Sequence, residues 1–71
     1  MPFVNIRLIE KALGDNPAAK EAEIGQRVTQ AICEVSGLPP DAVWVVFENV
    51  EPGHWQVGGK TVAAIWKERG Q

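Results

Sequence analysis

Two short apolar segments separated by one long helical segment constrain this chain more than any other feature. Residues 2–9 and 42–50 are rich in branched and large apolar residues, in an alternating pattern that is typical of β-strands. Between them, Asn16 and Pro17 fit the N-cap and first residue of a helix, and Gly37 marks its end about 20 residues later. A strand, a helix and a strand in this order predict a right-handed crossover with parallel strands.

The two faces of the predicted sheet differ in polarity. One face is wholly apolar, and its residues are Pro2, Val4, Ile6, Leu8, Val43, Val45 and Phe47. We expect this face to pack on the apolar stripe of the helix, which consists of Ile24, Val28, Ala31, Ile32 and Val35. The opposite face carries Phe3, Ile9, Trp44 and Val46 together with Arg7 and Glu48, which we expect to pair. Because one helix covers one face only, the second face predicts an interface with other subunits.

Turn-forming residues dominate the chain after the second strand. Residues 51–54 predict a turn, residues 55–57 a strand fragment, and Gly58 with Gly59 a hairpin or bulge. Residues 61–69 fit either a short strand or one helical turn.

The length and the few metal-binding residue types restrict how such a chain is stabilised. A chain of 71 residues has room for one small domain, and its single cysteine, Cys33, excludes an internal disulfide. One histidine and one cysteine cannot form a Cys/His zinc site, so we expect no metal, and we expect no other cofactor. Small domains commonly depend on partner subunits, which favours a homo-oligomer.

Charge and hydropathy exclude two classes of partner. The net charge of −2 and the scattered basic residues give no surface typical of nucleic-acid binding. The chain contains no apolar run of about 20 residues, so we expect no membrane span, and we expect a cytoplasmic protein.

Pro2 is the residue that most suggests a catalytic role. Cells remove an initiator methionine that precedes a small residue or proline, so the mature chain would begin with a secondary amine. An N-terminal amine has a pKa of about 7.7 to 8.0, and apolar surroundings lower that pKa because they penalise the cation. A neutral amine on a strand end can act as a general base or as a nucleophile toward carbonyls. An ordinary Met-Pro start without a catalytic role is the alternative.

Four segments taken together resemble the short-chain 4-oxalocrotonate tautomerase family. They are PFVNIRL at 2–8, VTQAI at 28–32, LPPDAV at 38–43 and GHWQVGG at 53–59. The resemblance implies an α/β fold, a β-α-β unit with a C-terminal β-hairpin, as a single tautomerase-like domain over residues 1–71. It also implies a homo-oligomer, usually a hexamer built as a trimer of dimers, with sites where subunits meet. Its implied function is an isomerase that interconverts enol and keto forms of a 2-keto acid, with Pro2 as the general base.

The resemblance also implies which residues bind the small-molecule substrate. Trp55 falls on the position of an aromatic residue that lines the pocket and keeps the proline amine dry. Phe3, Ile9 and Ala42 fall on positions of the pocket wall.

Two arginines of the family are missing from this chain. Ala12 stands where the family has the arginine that binds the substrate carboxylate. Lys11 is the nearest cation, and it is either the replacement that binds this carboxylate or a solvated loop residue. Trp44 replaces the arginine that stabilises the developing enolate, and it could be an interface aromatic or a stacking wall of an apolar pocket.

The loss of the two arginines leaves two alternatives to a tautomerase. One is hydration, dehalogenation or decarboxylation with a carboxylate that activates water, for which Glu10, Glu48 and Glu51 are candidates. The other is a non-catalytic assembly module.

Overall fold

The computed structural model describes residues 2–70, and it consists of a β-α-β unit followed by a small C-terminal hairpin. The regular elements are β1 (Phe3–Leu8), α1 (Pro17–Ser36), β2 (Trp44–Asn49), β3 (Gln56–Val57), β4 (Lys60–Thr61) and α2 (Val62–Glu68). Short 3-10 turns occur at Glu10–Leu13, Pro40–Ala42 and Pro52–His54. The predicted α/β architecture is therefore confirmed, although both long strands are one or two residues shorter at each end than predicted. No helix in this part of the chain is both long and apolar enough to cross a bilayer.

β1 and β2 form a parallel pair, and its register determines which side chains share a face. The partners include Phe3 with Trp44, Val4 with Val45, Ile6 with Phe47 and Arg7 with Glu48. Val4, Ile6, Val45 and Phe47 are half-buried, whereas Phe3 and Trp44 on the other face are exposed. The predicted division into a covered apolar face and an open mixed face is confirmed.

The helix α1 buries a narrower stripe than the sequence predicted. Ile24, Val28 and Ile32 are half-buried, but Ala31 is exposed and Val35 is 91% exposed. Twenty helical residues span about 30 Å and six strand residues about 20 Å, so one end of the helix extends past the sheet. The inclusion of Ala31 and Val35 in the buried stripe was therefore wrong.

The tail of the chain forms a short strand, which was one of the two alternatives, and then a seven-residue helix, which is longer than the single turn of the other alternative. Gly58 and Gly59 have φ angles of 61° and 82°, the left-handed conformation that a tight hairpin turn requires, and they join β3 to β4. α2 follows directly, and the side chain of Thr61 caps it by accepting the Ala64 N–H at 3.1 Å. α2 packs on the Pro52–His54 turn and on β4. We call residues 51–70 the C-terminal arm.

The described residues of one chain form almost no buried core. Among residues 2–70 only Ile9 and Pro52 are buried, while Phe3, Trp44 and Val57 are each more than half exposed. The molecule measures 46 × 25 × 16 Å, and its radius of gyration is 15.3 Å, against about 11 Å for a compact chain of this length. Burial within one chain is therefore small for a stable domain.

Candidate active site

Pro2 lies immediately before β1, where the first residues of the two long strands meet. It is half-buried, and its carbonyl oxygen accepts the Trp44 N–H at 3.1 Å. Phe3 lies opposite Trp44, and Ala42 ends the 3-10 turn that leads into β2. The structure thus brings four of the predicted site residues to one end of the sheet, which we call the Pro2 end.

Ile9 and Lys11 lie at the opposite end of the sheet. β1 separates them from Pro2 by six strand residues, a length of about 20 Å. Lys11 is exposed in the Glu10–Leu13 turn. Ile9 is 9% exposed, so within its own chain it offers little surface to a ligand. One chain therefore does not bring the predicted cation and the predicted base together.

Trp55 belongs to the C-terminal arm. Trp55 follows the Pro52–His54 turn and precedes β3 in the chain, and its side chain is half-buried. Its carbonyl oxygen accepts the Val62 N–H at 2.8 Å. The arm leaves the sheet at the end remote from Pro2, where the Val50 N–H donates to the Leu8 carbonyl at 2.7 Å. Trp55 is thus held on a separate element that starts far from Pro2.

A polar cluster occupies the open face of the sheet away from the Pro2 end. The Oε1 atom of Glu48 accepts hydrogen bonds from the Asn5 side-chain amide at 2.7 Å and from the Arg7 guanidinium at 3.4 Å. These contacts, with Asn5 first and Arg7 second, lower the pKa of the Glu48 carboxyl below its ordinary value. The predicted pairing of Arg7 with Glu48 is confirmed. Sequence reasoning missed Asn5, although Asn5 precedes Arg7 by two residues and so shares its face.

The pH dependence of stability should report this cluster. Because folding lowers the pKa of Glu48 from 4.5, the cluster stabilises the folded state above that pH and loses its contribution as the pH falls further. We expect Glu48→Gln to weaken the loss of stability on acidification, measured by urea denaturation from about pH 6 to about pH 3. Glu51→Gln, which neutralises an exposed carboxyl in the arm, is the control. Identical profiles for the two variants would contradict the assignment.

An apolar groove, which the sequence analysis did not predict, lies on the helix side of the sheet. It has a volume of about 790 Å³ and lies between α1 and β2. Its helix wall includes Ala18, Ala22, Gly25 and Thr29, and its strand wall is formed by Val43, Val45 and Phe47. In the described chain β2 pairs with β1 alone, so its outer edge is free beside this α1–β2 groove. Finding the groove requires knowing how the helix lies across the sheet, which periodicity does not specify.

The carboxyl groups of the described residues do not form a metal centre. Within residues 2–70, no three His, Cys, Asp or Glu side chains are grouped closely enough to hold an ion. Glu21, which lines the α1–β2 groove, has a raised pKa because of desolvation and the nearby Glu10 carboxyl. Of the three candidates for water activation, Glu10 and Glu48 lie at the sheet end remote from Pro2, and Glu51 opens the arm there.

Comparison with known proteins assigns most of the chain to one group. A family model described as "Tautomerase enzyme" matches residues 2–65. A probable tautomerase of Bacillus cereus is 32% identical over 63 residues, which cover 89% of this chain and 97% of the relative. A probable tautomerase of Ralstonia nicotianae is 39% identical over 59 residues, covering 83% of this chain and 79% of the relative.

Solved structures share the fold over nearly the full length. TomN, a 4-oxalocrotonate tautomerase homologue in the tomaymycin biosynthetic pathway, superposes with a TM-score of 0.78 at 34% identity, covering 99% of this chain and 97% of TomN. A heterohexamer 4-oxalocrotonate tautomerase from Chloroflexus aurantiacus gives a TM-score of 0.76 at 27% identity, with 89% and 95% of the two chains covered.

Proposed function

Because this chain belongs to the tautomerase family, we propose that it is an isomerase that interconverts the enol and keto forms of a 2-keto acid, with Pro2 as the general base. The observation that supports this role is the position of Pro2, half-buried at the start of β1, on the sheet face that also carries the half-buried Val4 and Val45. Removal of Met1 frees the Pro2 nitrogen as a secondary amine. Apolar neighbours favour the neutral amine, which is the form that accepts a proton.

The reaction requires one group that both accepts and returns a proton. In our proposal the Pro2 nitrogen takes the proton of the enol hydroxyl and becomes a secondary ammonium ion. The ammonium ion then delivers a proton to carbon 3 of the acid, which yields the keto form and regenerates the amine. No group is transferred and no oxidant is consumed, so the step needs no cofactor.

We further propose that the site is completed between copies of the chain in a homo-oligomer, assembled as a trimer of dimers. Pro2 and Lys11 lie at opposite ends of β1. A two-fold-related copy running antiparallel along the free edge of β2 would bring its Lys11 end to the first copy's Pro2 end. Its helix would cover the α1–β2 groove. The heterohexamer from Chloroflexus aurantiacus supports an assembly of six chains.

Replacing Pro2 tests the proposed base. We expect Pro2→Ala to lower kcat/KM by about a hundredfold, at the low end of what a general base contributes, because the alanine amine lacks the ring's rigidity and secondary-amine basicity. Ketonisation of the enol of phenylpyruvate, followed by ultraviolet absorbance, is the measurement. Pro17→Ala changes the proline at the first position of α1 and should leave the rate nearly unchanged. Equal rates for the two variants would exclude Pro2 as the base.

The same assay distinguishes the enzyme from a non-catalytic assembly module. A module would form the oligomer and show no ketonisation of any enol acid. An enzyme of the hydration or decarboxylation type would release products other than the keto tautomer, which nuclear magnetic resonance of the reaction mixture would identify.

A further inference from the structure

We propose that Lys20 and Asn49 are positioning residues for Lys11: they fix the two ends of the turn that carries this cation, so that it binds the substrate carboxylate in the site of a neighbouring copy. The inference rests on the proposed function and on the proposed assembly, in which the Lys11 end of one chain meets the Pro2 end of another. It concerns two residues that do not themselves touch the substrate, and its test includes a measurement that needs no catalysis.

Lys11 lies in a turn that is too short to be rigid by itself. The 3-10 turn Glu10–Leu13 has four residues, and hydrogen bonds of 2.9 and 3.2 Å tie its backbone to the residues on either side. Hydrogen bonds in 3-10 turns have poorer geometry than those of an α-helix, and connecting segments on the surface are more mobile than the elements they join. An exposed lysine in such a turn therefore needs further contacts if it is to occupy a defined place.

Asn49 holds the start of the turn. Its Oδ1 atom accepts the Glu10 N–H at 2.9 Å. Asn49 is the last residue of β2 and the register partner of Leu8 on β1, so this bond connects the turn to both long strands. The residue directly before Lys11 is thus fixed to the sheet.

Lys20 holds the end of the turn. Its Nζ atom, on the fourth residue of α1, donates a hydrogen bond to the Leu13 carbonyl. A methyl group at Gly14 would lie 3.6 Å from this Nζ atom, so the ammonium group lies against the residue that closes the turn. Glu23, three residues further along α1, forms an ion pair with Arg27, which leaves the Lys20 ammonium group to the turn. The segment that follows Lys11 is thus fixed to the helix.

Apolar packing alone holds this turn loosely. The side chain of Leu13 is half-buried, and it borders a groove of about 290 Å³ that Ile24 also lines. A side chain beside open space loses the dispersion contacts that a close-packed neighbour would supply. The two polar contacts therefore contribute strongly to the position of the turn.

A cation that is already in place binds a carboxylate more tightly than one on a mobile turn, because ordering the turn on binding costs conformational entropy. The carboxylate keeps its charge during the proton transfer, so its contact with Lys11 is equal in the substrate and in the transition state. Loss of either polar contact should therefore raise KM for the acid more than it lowers kcat. A merely structural role, in which a substitution reduces the amount of folded protein, would lower the apparent kcat and leave KM unchanged.

The test compares the enol of phenylpyruvate with the enol of its methyl ester, which has the same tail and no carboxylate. We expect Lys20→Met and Asn49→Ala each to raise KM for the acid about three- to tenfold, the effect of one hydrogen bond, and to leave KM for the ester unchanged. Lys20→Arg keeps a cationic donor and should retain the original KM. Lys67→Met, the matched control, removes an exposed lysine from α2 and should change neither substrate.

A double substitution shows whether Lys20 acts through Lys11. Lys11→Met should raise KM for the acid at least as much as Lys20→Met does, and adding Lys20→Met to Lys11→Met should have no further effect. If the two increases multiply instead, Lys20 acts on the acid without Lys11, and the proposal is wrong. An unchanged KM for the acid in Lys11→Met or Lys20→Met, in a protein that sediments as the original assembly does, overturns it as well. If Lys20→Met fails to assemble, Asn49→Ala decides the matter by the same criteria.

Binding of an unreactive acid separates this inference from the proposed function. 3-Phenylpropionate carries no enol hydroxyl, and titration calorimetry measures its affinity. Weaker binding to Lys20→Met than to the original chain, with no such difference in the Lys11→Met background, supports the positioning role even if no ketonisation is detected, a result that would exclude the proposed function alone. Equal affinities of the original chain and Lys20→Met for this acid would overturn the inference whatever the activity.

Discussion

Protein that keeps Met1 is expected to lose tautomerase activity. Met1 converts the Pro2 nitrogen into a tertiary amide, which carries no proton and has no basicity. A general base typically contributes about 10² to 10⁴ in rate, so kcat/KM should fall by at least about a hundredfold. The measurement compares ketonisation by preparations whose processing at Met1 is established by mass spectrometry.

The control for this experiment is a chain with one methionine added at its C-terminus and normal processing at Met1. It should retain full activity, because the addition leaves the Pro2 amine free. A fully active preparation in which every chain keeps Met1 would remove Pro2 from the mechanism.

Substituting glutamate for Ala22 is expected to break the assembly. Ala22 is exposed within one chain but lines the α1–β2 groove, which we propose a second copy covers. A carboxylate buried there without a partner costs several kcal/mol, enough to raise the dissociation constant about a hundredfold or more. Sedimentation velocity should show Ala22→Glu shifted toward single chains, and circular dichroism should show reduced helix content.

Ala19→Glu is the matched control for the groove. It introduces the same residue on the same helix, at an exposed position that does not line the groove. We expect it to sediment as the original chain does. A single-chain mass for the original protein at micromolar concentration would contradict the proposed assembly and the shared site together.

The elements that depend on periodicity could be predicted, and those that depend on contacts could not. α1 and the two long strands follow from repeats of apolar residues, and the hairpin follows from Gly58 and Gly59. α2 has seven residues, too few to be stable from its own sequence, and it forms against the Pro52–His54 turn with Thr61 as its cap.

For the candidate site as well, the features that depend on periodicity could be predicted, and those that depend on contacts could not. The alternating pattern was sufficient to place Phe3 and Trp44 on one face, and the matched family confirms the resemblance from which the importance of Pro2 was inferred. The distance between Pro2 and Lys11 could not be predicted, because positions assigned by resemblance do not say which chain supplies each residue. Ile9 was assigned to the open face of the sheet. It lies just after the last residue of β1, however, and its side chain is buried within its own chain.

Among residues 2–70 only Ile9 and Pro52 are buried, so in the proposed assembly folding is coupled to the association of chains. Mass action then governs the amount of folded protein, and the melting temperature rises with the concentration of the chain itself. If the site is completed between copies, as we propose, catalytic output per chain falls on dilution. Doubling the synthesis of such a protein at low abundance would more than double its activity in the cell.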